Sequence, residues 1–219
     1  MIRNKKHLEK YLCVTHHNQR FAENVTTLEI YLTNVTPPIA ELRLLLSRLV
    51  HLDTIIIELS RLSSSMCARI FKGILFPNLS FFVTSTLPHR GLHHLLENNP
   101  TIQSLSVGNC GPTGCDINLK HDLLDISGPT KCVASILRGN TVNTVSATYR
   151  TEGETHINLF IALGPSFAKI TRLNLHFSVR HDADILCSIA KAAPFVSWLQ
   201  LTERSFGCQV CTYDLRWCA

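Results

Sequence analysis

The residues best suited to chemistry are the nine cysteines and eleven histidines of this 219-residue chain. Cys208 and Cys211 are spaced so that two thiolates could share one metal ion, with Cys218 as a third. A fourth ligand would have to come from His181 or Cys187 folding back. The simpler expectation is an irregular C-terminal tail. His89 and His93 stand four apart, a spacing that zinc ligands use on one helix face, and Cys110 and Cys115 follow downstream. Leu92, Leu95 and Leu96 already supply the buried face of that helix, so these histidines, with His94, are expected to be exposed. Cys110 could serve as a nucleophile beside a histidine, but it also fits a structural position in a repeat. The segment Gly108-Asn109-Cys110-Gly111-Pro112-Thr113-Gly114 is glycine-rich, yet it lacks the Lys and Ser/Thr of a phosphate loop and reads as a turn. There is no Gly-x-Ser-x-Gly, no His-Glu-x-x-His and no Walker motif. The expectation is no catalytic residue, no metal and no cofactor.

Composition bounds the framework that carries these residues. Hydrophobic residues make up 45% and charged residues 17%, too apolar for a disordered chain. The formal charge is +5, but residues 1–20 hold Arg3, Lys5, Lys6, Lys10 and Arg20 against Glu9 alone. The remaining chain is therefore close to neutral, which argues against a nucleic-acid-binding body. Residues 1–20 have no apolar core of a signal peptide, and the most apolar stretch, 39–59, is broken by Glu41, Arg43, Arg48, His51, Asp53 and Glu58. A cytoplasmic or nuclear setting with mostly reduced thiols is the expectation.

A short pattern recurs, in which an apolar residue is followed three and five positions later by two more. The clearest copy is Ile102-Gln103-Ser104-Leu105-Ser106-Val107-Gly108-Asn109-Cys110, which fits the leucine-rich template L-x-x-L-x-L-x-x-N/C. Other copies are Val25/Leu28/Ile30, Leu52/Ile55/Ile57, Phe76/Leu79/Phe81, Val142/Val145/Ala147, Ile170/Leu173/Leu175 and Val196/Leu199/Leu201. A weaker one centres on Leu124/Ile126, with His121 where an apolar residue should be. The central residues fall at 28, 55, 79, 105, 124, 145, 173 and 199, near the 20–29-residue period of such repeats.

Between these strands the spacing predicts helices over 39–49, 63–74, 91–98, 130–138, 157–163 and 182–193, with Ser63 to Ser65 as N-cap candidates. One strand and one helix cannot bury their apolar faces alone, so neighbouring units must stack. The expected fold is an α/β leucine-rich-repeat-like solenoid, with parallel strands on a concave face and helices on a convex face. Its expected divisions are a basic segment 1–24, a repeat domain 25–203 and a Cys-containing tail 204–219.

From residue 75 to residue 203 the sequence resembles the repeat region of fungal F-box proteins of the basidiomycete type. The resemblance rests on Phe76-Pro77-Asn78-Leu79, Asn99-Pro100-Thr101-Ile102-Gln103-Ser104-Leu105, Cys110-Gly111-Pro112, Ile126-Ser127-Gly128-Pro129 and Gly139-Asn140-Thr141-Val142. It implies a domain that binds a substrate protein for a cullin-type ubiquitin ligase. Only 24 residues precede Val25, so docking to the ligase adaptor is expected only if an F-box is supplied upstream.

Strand alternation sends the residues between the motif leucines to the face where a partner would bind. The candidate partner-binding residues are Tyr31, Phe82, Ser106, Ser146, Asn174 and Trp198, the aromatics serving as anchors among small hydroxyls. The rival readings are a nucleic-acid binder using the basic N-terminal segment and a metal-dependent enzyme using the Cys/His clusters. No membrane association is expected.

Overall fold

The computed structural model describes residues 1–60, 62–108, 115, 117, 119, 122–138, 140–148, 157–163, 170–177, 184–203 and 211–216, with the backbone alone at 157, 158, 163 and 211–216. It divides into two compact units, Met1–Asp116 and Ile117–Ala219. Both are α/β, with strands and helices alternating along the chain.

The first unit carries four parallel strands in chain order, β1 (Thr27–Leu32), β2 (Thr54–Leu59), β3 (Phe81–Thr84) and β4 (Ser104–Val107). Its helices are α1 (Lys5–His17), α2 (Gln19–Asn24), α3 (Ile39–Arg48), α4 (Ser64–Phe71) and α5 (His89–Asn98). Helices α1, α3, α4 and α5 pack in one row. The register sets Leu28, Ile55, Phe82 and Leu105 side by side, in steps of 27, 27 and 23 residues. All four are buried against the helix row. The strands alternate between buried and partly exposed positions, so one face of the sheet carries the core and the other is open.

Residues 1–24, expected to be a basic segment, form an ordered end to the unit. Ile2 adds one residue to the free edge of β1: its N–H donates to Glu29 O (2.7 Å) and its carbonyl accepts from Tyr31 N (2.7 Å). Asn4 and Asn18 cap α1 and α2 with side-chain oxygens that accept from His7 N (2.8 Å) and Phe21 N (2.9 Å). Helix α1 then lies on α3. An edge strand is thereby covered instead of being left as a template for pairing.

Two arginines on α3 tie the helix row together through backbone carbonyls, Arg43 at the end of α4, where acceptors lack intrahelical partners, and Arg48 within α1. Arg43 Nη1 donates to the carbonyls of Arg69 (3.1 Å) and Lys72 (2.6 Å), at the end of α4. Arg48 Nη1 donates to Leu12 O (3.0 Å) in α1. The charge of Arg43 also favours the negative end of α4.

The second unit holds β5 (Asp125–Pro129), β6 (Thr144–Thr148), β7 (Arg172–Phe177) and β8 (Trp198–Glu203), all parallel and in chain order. Ile126, Val145, Leu173 and Leu199 form its aligned buried row. The helices are α6 (Thr130–Leu137), α7 (Ile157–Leu163) and α8 (Ile185–Ala192), with α7 packed against both others. A fifth strand, β9 (Cys211–Arg216), pairs antiparallel to β8 along its whole length. That segment was expected to be an irregular tail.

Two repeat copies sit in a different frame from the expected one. In the third copy the inward triplet is Leu79/Phe82/Thr84, not Phe76/Leu79/Phe81. Leu79 is buried but precedes the strand. The weak copy is Leu123/Ile126/Gly128, with Leu124 exposed. In both, the last template position is not a large apolar residue. Thr84 can occupy a core site because its Oγ1 accepts from Leu87 N at 3.1 Å.

Candidate functional site

Each unit has one strand face that its helices leave uncovered. In the first unit the rows across it are Thr27–Thr54–Phe81–Ser104 and Glu29–Ile56–Val83–Ser106, with Tyr31 beside Glu58. Phe81 is 38% exposed, while Tyr31, Ile56, Val83, Ser104 and Ser106 are half-buried. These residues are shielded by their neighbours in the sheet and not by a second layer.

Phe82 does not belong to this surface. It was expected to be an exposed anchor, but its side chain is fully buried and meets Phe71 of α4 edge-on, ring centroids 6.2 Å apart. The reason is the frame of the third repeat. With Leu79 as the first template residue, Phe82 takes the central core position, and Phe81 and Val83 face outward.

The edges of this face are occupied by structural hydrogen bonds. Ser80 Oγ and Thr54 Oγ1 donate to Asp53 at 2.5 and 3.0 Å. Glu58 accepts from both Ser85 N and Ser85 Oγ at 2.7 Å. Leu59 N donates to Thr86 Oγ1 at 2.8 Å, and Ser60 Oγ donates to the carbonyl of Thr33. All but the local Thr54–Asp53 bond join one strand–helix unit to the next, so these polar groups are consumed in holding the repeats together.

In the second unit the rows are Asp125–Thr144–Arg172–Trp198 and Ser127–Ser146–Asn174–Gln200. Ser146, Asn174 and Trp198 are half-buried. Trp198 is flanked in register by Arg172 on β7 and Arg216 on β9, so it lies inside the sheet and not at its edge. Asn174 Oδ1 is buried yet accepts no hydrogen bond. A buried acceptor without a donor costs about 1–3 kcal/mol. Sequence reasoning placed Asn174 on this face, but no sequence signal reports an unmet acceptor.

The histidine expectation needs correction at one position. His93 is exposed and pairs with Glu97 at 3.1 Å, whereas His89 is buried, with Nδ1 3.3 Å from Cys115 Sγ. His89 precedes Leu92 by three and Leu96 by seven, so helical geometry puts it on the leucine face. His89 and His93 therefore do not share an exposed face. The metal and nucleophile readings that involve His181, Cys208, Cys218 and Cys110 fall outside the described residues, as does the glycine-rich turn after residue 108. Cys187 is exposed on α8.

Cys67 on α4 is fully buried, and burial pushes its thiol up to about 12. It packs where α4 and α5 approach most closely. A Cβ at Gly91 of α5 would stand 2.4 Å from Cys67 Cβ and 2.8 Å from Ser64 O, so only glycine fits there.

No helix among the described residues is long and apolar enough to cross a membrane. No protein-family model, curated protein or solved structure matches the chain.

Proposed function

We propose that this chain is a non-enzymatic protein-recognition module, a leucine-rich-repeat-like solenoid that binds a partner protein on its open strand face. The observation that carries this reading is the pairing of exposure with unmet polar capacity on that face. Ser104, Ser106 and Ser146 make no side-chain hydrogen bond among the described residues, and Asn174 Oδ1 is buried without a donor. The strand face of the first unit also carries Tyr31 and Phe81, and that of the second carries Trp198, residues with large apolar area and few rotatable bonds. A partner that supplies N–H donors to the amide and hydroxyl rows and covers the aromatics gains from both.

The resemblance to F-box repeat regions extends the reading to substrate recognition for a cullin-type ubiquitin ligase in the cytoplasm or nucleus. Contact with the ligase adaptor then depends on an F-box upstream. The partner-binding residues of this proposal are Tyr31, Ser106, Ser146, Asn174 and Trp198, with Phe81 in the place first given to Phe82.

The test is affinity capture with three baits: the wild type, a strand-face variant (Tyr31→Ala, Ser106→Arg, Trp198→Ala) and a helix-row variant (Leu44→Glu, Arg69→Glu). The strand-face variant should lose the specific partner at least 10-fold, and the helix-row variant should retain it. Retention by the strand-face variant together with loss by the helix-row variant would overturn the proposal.

A further inference from the structure

Charge in the first unit is sorted by layer. Its four strands hold two carboxylates, Glu29 on β1 and Glu58 on β2, and no lysine, arginine or histidine. Asp53, the residue before β2, adds an exposed carboxylate at the margin of the same sheet. The helices carry basic residues instead, among them Lys10, Arg20, Arg43 and Arg69 on α1 to α4. Arg3, next to the edge bridge at Ile2, donates to Met1 Sδ at 3.0 Å and not to a carboxylate.

The hydrogen bonds these acidic groups accept leave their charge in place. Asp53 accepts from the hydroxyls of Thr54 and Ser80, and Glu58 from the amide and hydroxyl of Ser85, all neutral donors. Glu29 is half-buried and makes no side-chain hydrogen bond among the described residues. None of the three forms an ion pair among the described residues. Their neighbours on the open face are apolar: the register sets Glu29 beside Ile56 and Glu58 beside Tyr31, and Phe81 and Val83 follow on β3. Glu29 and Glu58 stand one strand and two residues apart, roughly 8 Å. Uncompensated carboxylates set among apolar side chains project a stronger field than the same groups surrounded by water.

We propose that the segment bound by this face is basic and apolar. It is an extended stretch of a partner protein that sets Lys or Arg against Glu29 and Glu58, and apolar side chains against Tyr31, Ile56, Phe81 and Val83. This rests on the reading of the strand face as a recognition surface and adds the chemistry of what it recognises. Long basic side chains suit the site, because their stems lie along apolar residues while their heads reach the carboxylates. An acidic segment, a nucleic acid or an anionic lipid surface would meet like charge with nothing to offset it. Exposed pairs of this kind select partners more than they add affinity, at most about 5-fold for each pair.

The experiment is selection of random displayed peptides on the full chain, with affinities of the enriched sequences then measured by fluorescence polarisation. Enriched peptides should combine Lys or Arg with apolar residues. Their affinity should fall as salt rises from about 0.1 to 1 M, where the Debye length shrinks from about 10 to 3 Å. Glu29→Gln combined with Glu58→Gln should weaken binding about 5- to 20-fold. A glutamine amide at position 58 can still accept from Ser85, and Glu29 has no side-chain bond to lose, so circular dichroism and Tm should be unchanged. Glu29→Lys serves as a second variant and should weaken binding about 10-fold or more. Loss of binding in Tyr31→Ala and Phe81→Ser without Lys or Arg enrichment, or without an effect of the glutamine pair, overturns the proposal and leaves the strand face as a recognition surface. Binding indifferent to every one of these substitutions overturns both. Enrichment of acidic peptides, or of none, overturns the proposal as well.

Discussion

Asn99 is the residue whose loss should reveal most about how one repeat is fixed to another. It ends α5 and is 1% exposed. Its Nδ2 donates to Leu95 O at 2.6 Å, and its Oδ1 accepts from Phe76 N at 2.6 Å, 23 residues earlier. One side chain thus satisfies a carbonyl at a helix end and an N–H at the start of the preceding unit. Asn99→Ala strands both groups in a buried site. Each stranded group costs about 1–3 kcal/mol, giving about 2–6 kcal/mol together. For a chain of this size that should lower Tm by roughly 4–24 °C. Asn99→Asp keeps the acceptor but loses the donor and adds a buried charge, so it should not rescue. The assay is urea unfolding followed by circular dichroism, with Asn78→Ala at an exposed position as the control. A loss below about 1 kcal/mol for Asn99→Ala, equal to that of the control, would refute this account of inter-repeat anchoring.

Four further outcomes follow from the packing. Leu105→Ala, in the aligned core row, should destabilise by about 2–5 kcal/mol in the same assay, and a value near zero would contradict its placement. Gly91→Ala would gain about 1 kcal/mol on an exposed helix, but here it should destabilise by about 1–3 kcal/mol because the new methyl meets Ser64 O and Cys67; a stabilised protein would show that α4 and α5 are not in contact. Cys67 should resist alkylation at pH 8 while Cys13 and Cys187 react, as judged by mass spectrometry of the native protein. As pH rises above 9 the unfolded chain releases the Cys67 proton that the folded chain holds until about 12, so this thiol's contribution should make stability fall across that window. Cys67→Ala should flatten that alkaline fall.

What the sequence made legible was periodic. Six of the eight expected central residues stand at the second position of aligned parallel strands, because Leu28, Ile55, Leu105, Val145, Leu173 and Leu199 each sit in an unbroken apolar triplet. The two misframed copies are those where a core position is filled by Thr84 or Gly128. A hydroxyl that bonds its own turn, or a residue with no side chain, is invisible to a search for apolar spacing. That single frame error is what moved Phe82 onto the surface. The N-terminal helices were missed because charge dominates α1, which buries only Leu8 and Thr15. Its order comes from the local Asn4 cap and from the β-bridge at Ile2, a tertiary contact. The antiparallel pairing of β9 with β8 departs from the parallel order of the other strands, and no repeat period encodes it.

The claim that the open strand face is the recognition surface is tested most directly by hydroxyl-radical footprinting of the chain with its captured partner. The rates of side-chain oxidation at Tyr31, Phe81 and Trp198 should fall several-fold on binding. Those at Phe21 and Leu44, exposed on α2 and α3, should stay constant. Protection confined to Phe21 and Leu44, with Tyr31, Phe81 and Trp198 oxidised as in the free protein, would contradict it.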